Sequence, residues 1–347
     1  MVQRMNTSAT FRQAVDRFIT EWNDSSLTMT VHTSGSTGIP KAITVEKTRM
    51  AASARMTCDF LHLRAGQSAL LCLPVEYIAG KMVIVRAIIR NLRLILSTPS
   101  SHPLAQLEET PDFAAFVPSQ VYSMLDVPQE EKRLRAIGQI LIGGGAIDAD
   151  LQKHLDDFPH PVWSSYGMTE TLSHIALRRL NGPEASDWYT PLPGVTLGHD
   201  THHCLTVHAP EINPHLLVTN DIVDLRSNGR FRVIGRRDNT ICSGGIKIQL
   251  EDVEARLRPF LTQEFIASSI PDKKYGEALV LLIEGTPLPQ EQLKAICRKH
   301  LPPYHHPRHY FFVPQLPKTI SGKPARKQAK ELALSMWKNE TNKSFSA

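Results

Sequence analysis

Thr33-Ser34-Gly35-Ser36-Thr37-Gly38-Ile39-Pro40-Lys41 follows directly on the strand-like run Leu27-Thr28-Met29-Thr30-Val31-His32, with its Thr and Val. Glycines let the backbone curl until its N–H groups point inward, four hydroxyls add donors, and Lys41 adds a charge. A strand that ends in such a loop is built to hold a polyphosphate. The spacing is not that of a Walker loop, Gly-x-x-x-x-Gly-Lys-Ser/Thr, because it fails to register and Ala42 follows the lysine. Working outward, residues 11–22 carry apolar side chains at helical spacing, and 44–61 and 80–91 read as helices. Strand-like runs recur at 69–73, 92–97, 114–118 and 139–142. Strands that alternate with helices predict an α/β fold with a mostly parallel sheet.

The character changes at Pro191. Short β-like runs at 204–208, 216–219 and 231–234, broken by Pro, Asn-Gly and Asp turns, predict a small antiparallel β subdomain. Residues 235–239 are rich in charge and poor in apolar side chains, as a hinge is. Beyond them a helix at 250–257, a strand at 278–282, a helix at 290–301 and a basic stretch at 318–330 predict a small mobile α+β domain. The expected division is a large N-terminal domain over 1–237 and a C-terminal lid over 238–347.

Bulk properties narrow the function. The chain has 347 residues, 41% hydrophobic and 21% charged, with a formal net charge of +5 and a pI of about 8.9. Mild basicity suits an anionic small ligand; without an RNA-binding aromatic signature or a zinc finger, no nucleic-acid partner is expected. The apolar stretch 82–96 is interrupted by Arg86, Arg90 and Arg93, so no membrane span is expected. Residues 1–11 are polar and give no secretory signal. Five scattered cysteines form no CxxC pair and read as reduced thiols of a cytoplasmic protein. His199, His202, His203, Cys204 and His208 match no standard zinc spacing. Nothing in the sequence specifies an oligomer.

Taken together, the loop and the motifs that follow it resemble the ANL superfamily of acyl-CoA synthetases, non-ribosomal peptide adenylation domains and luciferases, over residues 31–325. The resemblance implies adenylation of a carboxylic acid by ATP and Mg²⁺, then transfer of the acyl group to coenzyme A. By similarity Thr33, Ser34, Gly35, Ser36, Thr37, Gly38 and Lys41 hold the ATP phosphates. Gly143, Gly144 and Gly145 would line the adenine pocket. In Tyr166-Gly167-Met168-Thr169-Glu170, Tyr166 would stack on the base, Thr169 would contact the α-phosphate, and Glu170 would hold Mg²⁺. Thr219-Asn220-Asp221 stands where the family has Thr-Gly-Asp, so Asp221 would bind the ribose, with Asn220 expected to support the turn. Arg236 would reach the ribose and phosphate, and Asp238 would be the hinge. Gly244 and Gly245 resemble the thioester-step loop, although Ile246-Lys247 replaces the usual Glu-Asn after it. Lys323, in Pro317-Lys318-Thr319-Ile320-Ser321-Gly322-Lys323, maps onto the catalytic lysine, whose charge would offset the charge that develops as the carboxylate attacks phosphorus.

The acid itself is approached through Pro74-Val75-Glu76-Tyr77-Ile78-Ala79-Gly80, which stands at the family's acyl-pocket motif. Arg86 lies six positions after Gly80 on an otherwise apolar helix. A buried arginine wants a carboxylate, from substrate or from a structural salt bridge. This spacing and a phosphate loop beginning as early as Thr33 resemble the branch that acts on o-succinylbenzoate in menaquinone synthesis, a substrate with a second carboxylate. Tyr77, Arg86, Ser173 and His174 are the expected acyl-side residues. An aryl- or fatty-acid ligase serving CoA or a carrier protein, and a nucleotide-binding relative without catalysis, stand as the alternatives.

Overall fold

Short runs of β-branched and aliphatic residues become the strands of a buried sheet, and the amphipathic stretches between them become the helices that cover it. The computed structural model describes residues 2–4, 7–32, 42–145, 147–319 and 324–345. The stretch 33–41 and Lys323 therefore lie outside the described residues. In chain order the first elements are β1 (Val2–Arg4), α1 (Ala9–Asn23), β2 (Thr28–His32), β3 (Ala42–Glu46), α2 (Lys47–Phe60), β4 (Ser68–Leu71), α3 (Ile78–Arg90) and β5 (Arg93–Leu96). They continue with β6 (Phe113–Phe116), α4 (Pro118–Leu125), α5 (Pro128–Ala136), β7 (Gln139–Ile142), α6 (Ala149–Leu155), β8 (Val162–Gly167), β9 (His174–Arg179) and β10 (Thr190–Pro191).

Eight of these strands form one sheet in the order β1-β5-β4-β6-β7-β8-β9-β10. Pairing is parallel from β1 to β8 and antiparallel for β9 and β10. This is the mostly parallel α/β sheet that the alternating pattern predicts. Its core includes Leu70, Ile95, Ala114, Phe116, Ile140 and Ile142 from the strands, and Val121, Met124, Leu134, Leu151 and Leu155 from α4, α5 and α6. Ser8 starts α1 by accepting the Phe11 N–H on its side chain at 3.2 Å, satisfying one of the helix's open donors.

The helix read from residue 44 begins only at Lys47, because Ala42–Glu46 is a strand paired antiparallel with β2, from Thr28 opposite Glu46 to His32 opposite Ala42. Ile43, Thr44 and Val45 are three consecutive β-branched residues, stiff at χ1 and better placed on a pleated ladder than in a first helical turn. The ladder pairs His32 with Ala42, the residues that flank the stretch 33–41.

The remaining elements are β11 (Thr196–His199), β12 (Cys204–Ala209), β13 (Asn213–Leu225), β14 (Phe231–Arg236), β15 (Thr240–Ser243), β16 (Ile246–Gln249), α7 (Leu250–Leu257), β17 (Phe265–Asp272), β18 (Gly276–Glu284), α8 (Gln290–His300), β19 (His309–Val313) and α9 (Arg326–Phe345). Strands β11 to β14 make a four-stranded sheet in that order. The turn expected at Asn220 is absent: Asn220 lies inside the continuous 13-residue β13, and it is not among the residues with positive φ. The chain divides into two compact units, one of Met1–Gly198, Thr206–Val218 and Leu225–Arg232, the other of His199–Leu205, Thr219–Asp224 and Val233–Ala347.

Period-2 alternation explains the core of the second unit. On β17 and β18, Phe265, Ala267, Leu279, Leu281 and Ile283 face α7 and α8. Their neighbours Ile266, Ile270, Ala278, Val280 and Leu282 face α9. Helices therefore cover both faces of this sheet.

Candidate active site

In the first unit the site grows out of the junction between β8 and β9. These antiparallel strands slip register between Tyr166 and Gly167, so that Gly167 pairs with His174 while Tyr166 pairs with Ala176. A Cβ on Gly167 would lie 2.3 Å from the Ser173 carbonyl oxygen and 2.4 Å from His174 Cα, a collision of backbone with no flexible partner to move. Only glycine permits this approach. The connection is a 3₁₀ turn at Thr169–Thr171 followed by Leu172 in a left-handed conformation, φ 62°. Buried Thr171 knots the turn: its Oγ1 accepts from the Met168 N–H at 2.9 Å and donates to the Ser173 carbonyl at 2.7 Å. Positive φ at a leucine is costly and persists here because the turn is fastened on both sides.

That turn leaves Glu170 exposed. Its backbone carbonyl accepts from Asn213 Nδ2 at 3.1 Å, and among the described residues nothing pairs with its carboxylate. No group of three or more His, Cys, Asp or Glu able to hold a metal occurs among the described residues. A single open carboxylate fits Mg²⁺, which takes one or two carboxylates and completes its shell with phosphate oxygens and water. Tyr166 is half-buried in an aromatic group, edge-on to Phe231 at 5.0 Å and tilted to Tyr189 at 5.9 Å. Thr169 lies in the same turn as Glu170, and Gly143, Gly144 and Gly145 directly follow β7. Neither Tyr189 nor Phe231 was flagged by the sequence, where each reads as an ordinary core aromatic.

Behind the turn lies a buried cluster. Arg86, on α3, is 2% exposed and donates from Nη2 to Ser173 Oγ at 2.6 Å. Ser173 Oγ in turn contacts His174 Nδ1 at 3.3 Å, and His174 Nε2 contacts Thr57 Oγ1 at 2.9 Å. Arg86 Nε has no partner, and no carboxylate stands within ion-pair distance of the guanidinium among the described residues. The structural salt bridge weighed from the sequence is therefore not made by any described residue. Burial lowers the Arg86 pKa to about 10, which leaves it a cation at neutral pH. Burial, and then the neighbouring Arg86 charge, hold His174 well below the usual histidine range, so its ring is neutral. Tyr77 sits apart from this group. It is 43% exposed at the N-cap of α3, nine residues before Arg86, or about 13 Å along the helix axis.

Two further residues bear on the site without a sequence signal. Thr57 is fully buried on α2. Lys81, 9% exposed, donates Nζ to the Thr30 carbonyl at 3.0 Å and so ties α3 to β2. Desolvation lowers the Lys81 pKa. A lone Thr or Lys inside a helical pattern looks like any other, and only the packing reveals its partners.

In the second unit, Arg236 is held by two carboxylates. Its Nε and Nη2 donate to the two oxygens of Asp238, each at 3.0 Å, and Nη1 donates to Asp221 Oδ1 at 3.3 Å. The Arg236 pKa is raised, chiefly by the Asp238 hydrogen bond. Gly244 and Gly245 form the turn between β15 and β16 with φ of +60° and +82°. A Cβ at Gly244 would also lie 2.9 Å from the Tyr275 ring, so this position is closed to other residues twice over.

A mostly parallel α/β sheet in a larger unit, an open glutamate on a fastened turn, and a smaller unit whose sheet is covered by helices on both faces define the fold class of the chain. The chain belongs to the AMP-binding enzyme family, whose model matches residues 4–200; the family's C-terminal domain matches residues 262–323. It is similar to the solved acyl-CoA synthetase (AMP-forming)/AMP-acid ligase II-like protein of Dyadobacter fermentans, 37% identical over 94% of this chain and 95% of that one, with a TM-score of 0.65. The o-succinylbenzoate CoA synthetase of Bacillus subtilis, solved with its acyl-adenylate intermediate, is 25% identical over 87% of this chain and 68% of its own, with a TM-score of 0.72. The 2-succinylbenzoate–CoA ligase of Salmonella typhimurium is 26% identical over 80% of this chain, which spans 62% of that ligase's length. Among the described residues no helix is long and apolar enough to cross a membrane.

Proposed function

We propose that the protein activates o-succinylbenzoate with ATP and Mg²⁺ to its acyl-AMP and passes the acyl group to coenzyme A. The observation that carries the substrate is Arg86: a buried cation with a neutral hydroxyl for a partner and an unpartnered Nε. A second carboxylate on the acid would supply the anion that such a guanidinium lacks. The relatives' names, 2-succinylbenzoate–CoA ligase and o-succinylbenzoate CoA synthetase, support the same acid.

In this reading residues 33–41 would hold the ATP phosphates, Gly143 to Gly145 and Tyr166 the base, and Asp221 and Arg236 the ribose side, while Glu170 would hold Mg²⁺, whose charge would offset that of the phosphates. Lys323 offsets charge in the adenylation step. A lid over 238–347 turns about Asp238 between the half-reactions, a hinge-type gating motion, and brings Gly244 and Gly245 into use for thioester formation. Five cysteines without a disulfide among them support a cytoplasmic setting.

Pyrophosphate release measured across a panel of aryl, fatty and dicarboxylic acids tests the reading. Release dependent on o-succinylbenzoate is expected, and turnover with every acid except that one would sink the substrate assignment. Lys323→Ala is expected to stop adenylate formation while CoA still attacks supplied acyl-AMP. Equal loss of both half-reactions in a folded variant would rule out a lysine used in one step only.

A further inference from the structure

Four contacts in the first unit form one continuous path: Arg86 Nη2 to Ser173 Oγ at 2.6 Å, Ser173 Oγ to His174 Nδ1 at 3.3 Å, His174 Nε2 to Thr57 Oγ1 at 2.9 Å, and Thr57 Oγ1 to the Ser53 carbonyl at 3.1 Å. Its two ends fix the direction of every bond between them. A guanidinium only donates and a carbonyl only accepts. Ser173 Oγ therefore accepts from Arg86, and Thr57 donates its single proton to Ser53. A hydroxyl whose proton is already used can meet His174 Nε2 only as an acceptor, so Nε2 carries the ring proton. His174 Nδ1 is then bare and accepts the Ser173 proton. Each of the four contacts has one donor and one acceptor, and the two hydroxyl protons and the ring proton are all used.

The opposite tautomer fails this count. With the proton on Nδ1, Ser173 Oγ would accept twice while its own proton had no partner among the described atoms. Thr57 would have to turn its proton to Nε2, leaving two oxygens facing each other at the Ser53 carbonyl. Buried polar groups avoid such orphans.

We infer that Thr57 is a positioning residue for acyl specificity: by accepting from His174 Nε2 it fixes the ring tautomer, which orients Ser173 and, through it, the Arg86 guanidinium. Thr57 and Ser53 are 0% and 1% exposed on the interior face of α2, a rigid anchor. Ser173 by contrast sits half-buried on the turn behind left-handed Leu172. The relay ties that turn to the helix and holds the guanidinium by Nη2, while Nε stays buried with no hydrogen-bond partner. The inference rests on the proposed reading only in taking a substrate carboxylate as what Arg86 receives.

The test pairs Thr57→Val, which keeps the shape and removes the hydroxyl, with Thr57→Ser, which restores it. Ring-nitrogen NMR on ligand-free full-length protein is expected to show the Nε2–H tautomer for His174, and a changed His174 signal in T57V. T57V is expected to raise KM for o-succinylbenzoate roughly tenfold, the size of one lost hydrogen bond, with KM for ATP nearly unchanged and T57S close to the wild type. An Nδ1–H tautomer in the wild type overturns the inference. So does a T57V variant with unchanged KM for the acid, or one in which both KM values rise together as a merely structural role would make them. Because the tautomer is read without substrate, it stands apart from the substrate assignment, which fails instead if Arg86→Met leaves KM for o-succinylbenzoate unaltered.

Discussion

Arg86 and Arg236 place the same guanidinium in opposite surroundings. Arg86 is 2% exposed, with the Ser173 hydroxyl for a partner and Nε unfilled. The Arg236 side chain is 42% exposed and engages both oxygens of Asp238 and one of Asp221. Desolvation governs the first and lowers its pKa to about 10; paired carboxylates govern the second and raise it. A fold that buries a cation without its anion carries a cost that a bound ligand can remove, which is why the buried arginine is the better pointer to a substrate. An exposed arginine already satisfied by two neighbours suits a contact that forms and breaks.

That contrast can be broken most sharply by stability. Arg86→Met removes a desolvated charge at little change in volume, and is expected to stabilise the ligand-free protein by roughly 1–3 kcal/mol in a urea titration. A loss of stability would mean that the guanidinium has a structural partner after all. A smaller effect comes from His174. Its ring stays neutral in the folded protein, whereas in the unfolded chain it takes up a proton near pH 6.5. Below that value the unfolded state binds more protons, so stability falls as pH is lowered, by at most about 1.4 kcal/mol per pH unit. His174→Gln is expected to flatten the profile between about pH 6.5 and 5, above the range where the carboxylates titrate. A profile as steep as the wild type's would place the histidine in a polar setting. Smallest is Arg236→Met, expected to change stability by less than about 1 kcal/mol, with a difference that shrinks as salt is added. A larger, salt-insensitive loss would make this pair structural and equate it with the buried one.

How far the sequence carried each region follows from what it encodes. The parallel sheet was legible because strands at 69–73, 92–97, 114–118 and 139–142 alternate with helical patterns, and the observed strands overlap all four. Strand β3 was missed because Ile43, Thr44 and Val45 adjoin a long helical pattern, and only pairing with β2 decides their state. The turn expected at Asn220 was drawn from a motif in which glycine marks a bend, whereas this chain runs straight through as strand. Arg86, Ser173 and His174 were legible as a group through spacing and resemblance, and the structure brings them together. Tyr77 shares the motif but not the cluster. Thr57 could not be found in advance: its role is a hydrogen-bond direction, set by a residue 117 positions away. The bulged approach of Gly167 to Ser173 and His174 is likewise a product of pairing, invisible to any local pattern.

The central claim is that Arg86 reads a second carboxylate on the acid. It is tested most directly by pyrophosphate release with o-succinylbenzoate and with the same keto acid lacking its ring carboxylate, each in wild-type protein and in Arg86→Met. The wild type is expected to favour the dicarboxylate by roughly 100-fold in kcat/KM, the size of a charge-assisted buried contact, and Arg86→Met to treat the two acids nearly alike. A preference that survives the substitution undiminished would contradict the account.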